Sequence, residues 1–193
     1  FSRHQLKINS SQVQLRGEHN LENIAAAITV SRLIGISPNT IKQAVYSFKG
    51  LEHRLELVRE INQVKYYNDS FSTTPETAIA AIKSFTEPLI IILGGSDKGS
   101  NYDKLGQIIS SSSNLKAVIL IGKMGPVIQR SIHNFSGQII FGGQTMIQII
   151  KQAKLLSKSG DVVVLSPACA SFDMFANYKD RGNQFKAYVK KLY

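Results

Sequence analysis

Small and polar residues follow an apolar run in the segment from Asp161 to Gly182. The run Val162–Leu165 ends at a Ser-Pro pair, and a helix-like pattern begins near Phe172 after a group of small residues. This order predicts a buried strand, a turn and a helix N-terminus, where free backbone N–H groups and the helix dipole favour an anion. Ser171 adds a hydroxyl in the same turn. We therefore predict an anion-binding site, with the identity of the anion left open.

A second polar segment, Asn68–Thr74, follows the predicted strand Val64–Tyr67. Asp69, at the end of that strand, has the chemistry to accept two hydrogen bonds from a ribose diol, and the hydroxyls after it could hold an anion. Alternatively, Asp69 and Thr74 only shape the turn and cap the next helix. Both interpretations are consistent with these residues.

The third segment, Leu93–Gly99, is rich in glycine and contains one lysine. Glycine allows a ligand to approach the backbone closely, and the ammonium of Lys98 is suited to a carboxylate or a phosphate. The glycine spacing matches neither the dinucleotide fingerprint nor the P-loop. An ordinary glycine-rich loop is therefore an equal alternative.

Two asparagines near the start of the chain, Asn20 and Asn23, lie on one face of a predicted helix. Their amides could recognise the base or a phosphate of a nucleotide, but an asparagine near a helix start is equally a helix cap. Arg54 follows a predicted domain boundary at Gly50 and could reach a nucleotide held between domains.

The other reactive residue types give weaker signals. Cys169 lies in the predicted strand–helix turn, but the nearby sequence offers no base to activate it, so we expect a small buried side chain. The histidines lack the spacing of zinc ligands, and we predict no metal site in this chain.

The chain carries 23 Lys and Arg against 13 Asp and Glu, a formal net charge of +10, which favours anionic partners. The basic residues are scattered rather than arranged in a stripe with aromatic residues, which argues against a nucleic-acid partner. The single cysteine fits a reducing compartment, and we expect a cytoplasmic location. No apolar run approaches the roughly 18 residues of a membrane span, so we expect no membrane insertion.

The hydrophobic periodicity changes near Gly50 and predicts two domains, 1–50 and 51–193. The first fifty residues are mainly helical: an apolar stripe that includes Leu21 and Ile28 faces a core, and Ser37-Pro38 begins a second helix. After Gly50, apolar strands alternate with helices, the last of which spans Phe172–Leu192. This pattern predicts an α/β fold with a doubly wound, Rossmann-like and mostly parallel sheet. Its ligands should bind beyond the carboxyl ends of the strands.

Taken together, these segments resemble the C-terminal part of the Mur ligase family, in the branch that adds D-glutamate. The motifs occur in the family's order along nearly the whole chain: GEHNLENIAAA (17–27), FKGLEHRLELV (48–58), YNDSFSTTPETAIAAI (67–82), LGGSDKG (93–99) and LSPACASFDMFANYKDRGNQF (165–185). Five motifs in register are far more specific than any one of them.

The resemblance implies an ATP-dependent amide-bond ligase of peptidoglycan synthesis that joins D-glutamate to UDP-N-acetylmuramoyl-L-alanine through an acyl phosphate, with Mg²⁺ offsetting phosphate charge. It implies that 1–50 is the tail of a central ATP-binding domain and that 51–193 binds the amino acid. The ATP contacts implied by the motifs are Asn20, Asn23, Arg54 and Asp69. The D-glutamate contacts implied in the same way are Thr73, Lys98, Ser171 and Phe172.

The chain also departs from the family pattern. Phe71 occupies a position at which the motif commonly has lysine, which removes one positive charge from the predicted site. The P-loop, the magnesium ligands and the modified lysine that the resemblance implies belong to a central domain, and none of them is in this sequence. We therefore expect a monomeric fragment that supplies no catalytic residue and is inactive alone.

Two other classes of function remain open on the alternation of strands and helices and on the charge. A nicotinamide-dependent oxidoreductase domain would explain the Rossmann-like pattern, although the glycine fingerprint is missing. A basic nucleic-acid-binding module would explain the charge and would bind in a salt-sensitive manner.

Overall fold

The computed structural model describes residues 6–193, which form two compact units: one that ends at Gly50 and one that spans Leu51–Tyr193. The first unit contains a short 3-10 helix, Ser10–Gln12, and two α-helices, α1 (Glu18–Leu33) and α2 (Pro38–Ser47). The hydroxyl of Ser37 accepts a hydrogen bond from the backbone N–H of Thr40, so α2 begins at the predicted Ser-Pro signal.

The apolar stripe of α1 is not buried, contrary to the expectation that it faces a core. None of the residues of α1 is buried, and Leu21 is 40% exposed. In α2 only Ile41 is buried. Two packed helices cover one narrow seam of each other, whereas a stripe about 100° wide needs a further layer to bury it.

The second unit is a six-stranded sheet with helices between its strands. Its strands are β1 (Glu56–Ile61), β2 (Val64–Asn68), β3 (Leu89–Gly94), β4 (Leu115–Ile121), β5 (Gln138–Phe141) and β6 (Val162–Leu165). Its helices are α3 (Pro75–Lys83), α4 (Asp103–Ser111), α5 (Gly125–Ser131), α6 (Met146–Leu156) and α7 (Tyr178–Lys190).

The strand order is β1-β2-β6-β3-β4-β5, and every neighbouring pair except β1 and β2 is parallel. The antiparallel pair is a hairpin whose two turn residues, Asn62 and Gln63, have φ values of 49° and 62°. Left-handed backbone at both positions is the signature of a turn that matches the twist of the strands.

Helices cover both faces of the sheet, as the uninterrupted apolar strands predict. Along β3, Leu89, Ile91 and Leu93 pack into the core beneath α3, α4 and α5, whereas Ile90 and Ile92 pack beneath α6 and α7. All five side chains are fully buried. The predicted fold class, a doubly wound and mostly parallel α/β sheet, is confirmed.

The last helix begins later than the sequence pattern predicts. It starts at Tyr178 rather than Phe172, and the side chain of Asn177 caps it by accepting a hydrogen bond from the N–H of Asp180 (3.0 Å). An asparagine cap competes with helix continuation, and the N–H groups of Met174 and Phe175 already bond to the carbonyl of Ser171 in a separate turn. The prediction of an anion site on a helix N-terminus at Ser171 is therefore wrong in that form.

Among the described helices, none combines the length and the apolar character that crossing a bilayer requires.

The packing of α4 against the end of α5 gives a test of this fold. Gly106 lies inside α4, where alanine would ordinarily stabilise the helix by up to about 1 kcal/mol. A Cβ at this position would overlap the backbone carbonyl oxygen of Ser131, which cannot move without displacing its chain. We expect Gly106→Ala to lower the free energy of unfolding in urea by about 2 kcal/mol.

Gly125→Ala is the matched control, because its Cβ would lie 3.4 Å from its nearest neighbours, an ordinary contact. We expect that variant to remain within about 0.5 kcal/mol of the wild type. Equal stabilities for the two variants would contradict the close packing of α4.

Candidate functional site

The carboxyl ends of β2, β6 and β3 lie side by side, and hydrogen bonds join the loops that follow them. The N–H of Ala168 donates to the carbonyl of Ser72 (3.0 Å), which links the loop after β6 to the loop after β2. The N–H of Gly94 donates to Pro167 (2.8 Å), and that of Ser96 donates to Ala170 (2.9 Å). The three loops therefore form one connected surface at this edge of the sheet.

This edge is also a topological switch point. The helices that follow β2 and β3 pack on one face of the sheet, and α7, which follows β6, packs on the other. Chains that leave adjacent strands toward opposite faces open a crevice beyond the carboxyl ends of those strands, where open α/β sheets bind ligands.

The loops bring four predicted site residues to this edge: Thr73, Lys98, Ser171 and Phe172. Ser171 is 2% exposed, whereas Phe172 is 72% exposed and its N–H donates to the hydroxyl of Ser96 (3.2 Å). Lys98 is exposed and forms no ion pair with any described residue. A free ammonium, hydroxyls and backbone N–H groups at one edge are suited to a carboxylate ligand.

Glycine makes the close approach of two of these loops possible. Gly95 has a φ of 144°, and a Cβ there would overlap the carbonyl oxygen of Ala170. The requirement for glycine is therefore steric and explains the glycine-rich segment after β3 in part. It does not by itself establish a ligand site.

Asp69 is buried and both of its carboxylate oxygens accept internal hydrogen bonds. One oxygen accepts from the backbone N–H of Leu55 (3.1 Å) and the other from the hydroxyl of Ser166 (2.7 Å). Leu55 has a φ of 44°, a left-handed conformation that leucine rarely adopts, and the bond from its N–H stabilises that backbone. Burial raises the pKa of Asp69 to about 6.

The structure shows that Asp69 and Thr74 both have structural roles, as the alternative interpretation of this segment predicts. Thr74 is the N-cap of α3, in a capping box with Thr77. Asp69 joins the start of β1 to the end of β6, so both residues stabilise the fold at this edge. Each carboxylate oxygen retains a further lone pair, and the ribose contact stays a prediction.

Arg54 lies close enough to Asp69 for their charges to interact. The guanidinium lowers the pKa of the Asp69 carboxyl, but the effect of burial, which raises that pKa, is larger. The Arg54 side chain is exposed, with its guanidinium carbon 5.6 Å from the centre of the Phe71 ring.

Asn20 and Asn23 belong to the first unit, where α1 brings them together. The amide of Asn23 donates to the amide oxygen of Asn20 (3.5 Å), and the amide of Asn20 donates to the carbonyl of Arg16 (2.7 Å). The N-cap of α1 is Gly17, so the alternative in which either asparagine caps this helix is wrong.

Sequence reasoning missed Arg181, a fully buried cation behind the loops. Its guanidinium donates to the hydroxyl and the carbonyl of Ser70 (both 3.0 Å) and to the carbonyls of Cys169 (3.1 Å) and Ala170 (3.2 Å). It therefore clamps the loop after β2 to the loop after β6. Burial lowers its pKa to about 10. The one local hint of close packing near Arg181 is the glycine that follows it: a Cβ on Gly182 would overlap the ring of His53. This hint does not by itself predict that Arg181 is buried.

Asp173 attaches the same segment to a fourth loop. One carboxylate oxygen accepts from the N–H of Lys123 after β4 (2.8 Å), and the other is buried without a hydrogen-bond partner among residues 6–193. A charged residue in a predicted helix gives no hint of such a contact, because the contact depends on the turn that replaces the predicted first part of α7.

Glu52, His53 and Glu56 approach one another closely enough to suggest a metal site. The ammonium of Lys186 lies between the carboxylates, 2.6 Å from Glu52 and 2.8 Å from Glu56, and forms an ion pair with each of them. His53 is buried, its pKa is lowered by that burial, and its ring shares a hydrogen bond with Asn68 (2.9 Å). This cluster is an ion-pair network, so it does not fit Mg²⁺.

Cys169 is buried, as the sequence predicts, and its sulfur lies 3.1 Å from the hydroxyl of Tyr102. Burial raises its pKa to about 11. A thiol that stays protonated at neutral pH is a poor nucleophile.

Comparison with protein families gives one match, to the glutamate ligase domain of Mur ligases, over residues 53–169. The UDP-N-acetylmuramoylalanine–D-glutamate ligase of Thermoanaerobacter sp. (strain X514) is 43% identical over 188 residues, which are 96% of this chain and 41% of that protein. The protein of the same name from Clostridioides difficile (strain 630) is 42% identical, with 96% of this chain and 41% of that protein covered. This chain thus spans about two fifths of the length of these relatives.

Solved structures show the same fold at low identity. The UDP-N-acetylmuramate–alanine ligase of Thermotoga maritima matches with a TM-score of 0.66 and 15% identity, over 93% of this chain and 39% of that one. The MurF ligase of Thermotoga maritima, solved in complex with ADP, matches with a TM-score of 0.66 and 19% identity, over 91% of this chain and 39% of that one.

The buried carboxyl of Asp69 predicts a pH dependence of stability. Its pKa is about 6 when folded, above the value of 3.8 for an exposed aspartate, so the folded state holds the proton more tightly. Stability therefore falls as the pH rises from about 4 to about 6, by about 3 kcal/mol at about 1.4 kcal/mol per pKa unit. Asp69→Asn keeps an oxygen that accepts from the N–H of Leu55, replaces the oxygen that accepts from the Ser166 hydroxyl with an amide N–H that can donate to that hydroxyl, and removes the titration. Urea unfolding across this pH range should show the free energy of unfolding of the wild type falling relative to that of the variant. Parallel dependences on pH would contradict a raised pKa of Asp69.

The clamp formed by Arg181 predicts a large loss of stability on truncation. Arg181→Ala leaves buried carbonyls unpaired and creates a cavity, so we expect the free energy of unfolding to fall by about 3 kcal/mol or more. Arg59→Ala is the control, because Arg59 also donates to two carbonyls but is exposed. Chemical denaturation should place that control within about 1 kcal/mol of the wild type, and a similar loss in both variants would argue against the clamp.

Proposed function

Because this chain belongs to the Mur ligase family, we propose that it supplies the D-glutamate site, and part of the ATP site, of an ATP-dependent amide-bond ligase. The observation that carries this proposal is the joined surface of three loops beyond β2, β6 and β3. That surface combines an unpaired ammonium at Lys98 with hydroxyls and backbone N–H groups, in a domain that matches the glutamate ligase model.

D-Glutamate is a small dicarboxylate with one ammonium group, and the chemistry at this edge suits its two carboxylates. Lys98 supplies the positive charge, while Thr73 and Ser171 supply hydroxyl donors. Phe172, which is largely exposed, provides an apolar wall beside Ser171. Charge-assisted hydrogen bonds of this kind are about twice as strong as neutral ones, so Lys98 should dominate the affinity.

ATP is held in this proposal by Arg54 and Asp69, with Asn20 and Asn23 of the first unit as further contacts. The exposed guanidinium of Arg54 suits a phosphate, and Asp69 suits the ribose. The described residues offer Mg²⁺ no free carboxylate cluster, because Asp69 is engaged on both oxygens and the ammonium of Lys186 is paired with both Glu52 and Glu56. We therefore assign the magnesium ligands to the remainder of the ligase.

The names of the relatives support a proposal for the activity of the whole ligase, in which D-glutamate is joined to UDP-N-acetylmuramoyl-L-alanine. ATP transfers its terminal phosphoryl group to the carboxylate of UDP-N-acetylmuramoyl-L-alanine, and ADP leaves. The amine of D-glutamate then attacks the acyl phosphate, loses a proton and displaces phosphate to give the amide. In this proposal the first unit is the tail of the central ATP-binding domain, and the protein is a cytoplasmic monomer.

Titration of the ¹⁵N-labelled chain with D-glutamate at millimolar concentrations tests the amino-acid site. We expect NMR shifts at Thr73, Lys98 and Ser171, a weaker response to L-glutamate, and a loss of affinity of about tenfold or more in Lys98→Ala. Lys151→Ala is the control, since Lys151 is exposed on α6. No response to D-glutamate, or equal effects of the two lysine variants, would contradict the proposal.

Two further measurements separate the alternatives. Tight binding of NADH in a fluorescence titration would favour the oxidoreductase domain, and salt-sensitive binding of DNA or RNA in a gel shift would favour the nucleic-acid module. Release of phosphate by the purified chain, dependent on both ATP and D-glutamate, would contradict the expectation that it is inactive alone.

A further inference from the structure

Phe71 holds an unusual position on the surface of the second unit. Its side chain is 45% exposed, although a large apolar ring at the end of a strand is more often buried. The ring lies beneath the guanidinium of Arg54, whose central carbon is 5.6 Å from the ring centre. This distance is within the range of a cation–π interaction.

A cation–π contact differs from an ion pair because it leaves the N–H donors of the arginine available to a ligand. A carboxylate partner would occupy the N–H donors of Arg54 and neutralise its charge, so a phosphate would have to compete with it. The face of an aromatic ring restrains the guanidinium plane and leaves its in-plane N–H groups unoccupied. No ion pair or side-chain hydrogen bond of Arg54 occurs among the described residues.

The ring of Phe71 is itself restrained by contacts with Tyr178, and its backbone by a hydrogen bond to His53. It packs edge to face against Tyr178, with ring centres 5.1 Å apart, and Tyr178 packs in the same manner against the buried ring of His53 (6.0 Å). The backbone N–H of Phe71 donates to the carbonyl of His53 (3.0 Å). The hydroxyl of Ser70 donates to the carbonyl of Tyr178 (2.7 Å), so the neighbouring backbone is fixed as well.

We propose that Phe71 is a positioning residue for Arg54: its ring orients the guanidinium toward an anionic ligand, the phosphate of a nucleotide, without consuming the donors that bind it. This inference rests on the proposed function for the identity of the ligand.

The positioning itself is measured without a ligand. In the ¹³C,¹⁵N-labelled chain, the ring current of Phe71 should shift the side-chain protons of Arg54 upfield. Phe71→Leu should remove that shift and raise the mobility of the Arg54 side chain, whereas Phe71→Tyr should retain both. Phe141→Leu is the matched control, because Phe141 is similarly exposed (53%) but lies on the edge strand β5. An unchanged Arg54 signal in Phe71→Leu would overturn the proposal.

Titration with ADP then tests the consequence for binding. We expect Phe71→Leu to weaken ADP about two- to five-fold, the effect of losing an exposed cation–π contact, and Phe71→Tyr to restore the affinity. In an Arg54→Ala background, Phe71→Leu should have no further effect. An equal loss in that background would show that the ring contacts the nucleotide directly and would overturn the proposal.

Different results would contradict nucleotide binding and the positioning role of Phe71. If ADP leaves Arg54 of the wild type unaffected, the nucleotide part of the proposed function is wrong, and the ring-current measurement still decides whether Phe71 positions Arg54. If ADP binds through Arg54 but Phe71→Leu changes neither the Arg54 signals nor the affinity, the function holds and the positioning role is wrong. Thermal unfolding of each variant confirms that the fold is retained.

Discussion

The arrangement of the loops at the candidate site depends on a buried positive charge, the guanidinium of Arg181. Arg181 lies behind the loops after β2 and β6 and donates all of its described hydrogen bonds to oxygens of those loops. Among the described residues no carboxylate forms an ion pair with it, so the desolvation of the guanidinium is offset mainly by carbonyl dipoles and a hydroxyl, with a further contribution from the charge of Asp173. An arrangement of this kind is sensitive to geometry, because a small displacement of either loop leaves a charge or a carbonyl buried and unpaired. The loops are consequently held in one relative position.

From that clamp, smaller interactions extend across the edge of the sheet. Backbone hydrogen bonds join the loop after β3 to the loop after β6, and Asp173 attaches the loop after β4. Asp69 connects the start of β1 to the end of β6 and stabilises a strained leucine backbone. Residues on loops so extensively cross-linked are restrained before a ligand arrives, which reduces the entropy lost on binding.

Charge is distributed unevenly over this surface. The cations nearest the proposed ligands, Lys98 and Arg54, are exposed and lack carboxylate partners among the described residues, whereas Lys186 is engaged by two glutamates. The proposed anionic ligands would meet these two cations at the edge of the sheet, where both oxygens of Asp69 accept internal hydrogen bonds and Glu52 and Glu56 are paired with Lys186. The proposed binding of carboxylates and phosphates beside Asp69 depends on this separation of charges.

The sequence by itself determined the strands, the doubly wound fold, the cap of α2 and the family, because apolar runs, capping residues and motifs are local patterns. It also placed Thr73, Lys98 and Ser171 at strand ends, which parallel pairing then gathers at one edge. Only the tertiary structure decided the start of α7, because hydrogen bonds to distant loops hold the residues before it in a separate turn: the N–H of Lys123 donates to Asp173, and that of Phe172 donates to Ser96. The exposure of the α1 stripe, the burial of Arg181 and the engagement of both Asp69 oxygens likewise depend on residues far apart in the chain. The segment 161–182 therefore carries the hydroxyl of Ser171 on a turn that is hydrogen-bonded to other loops, rather than on a helix N-terminus. Long-range hydrogen bonds outweigh the local helix propensity of this segment.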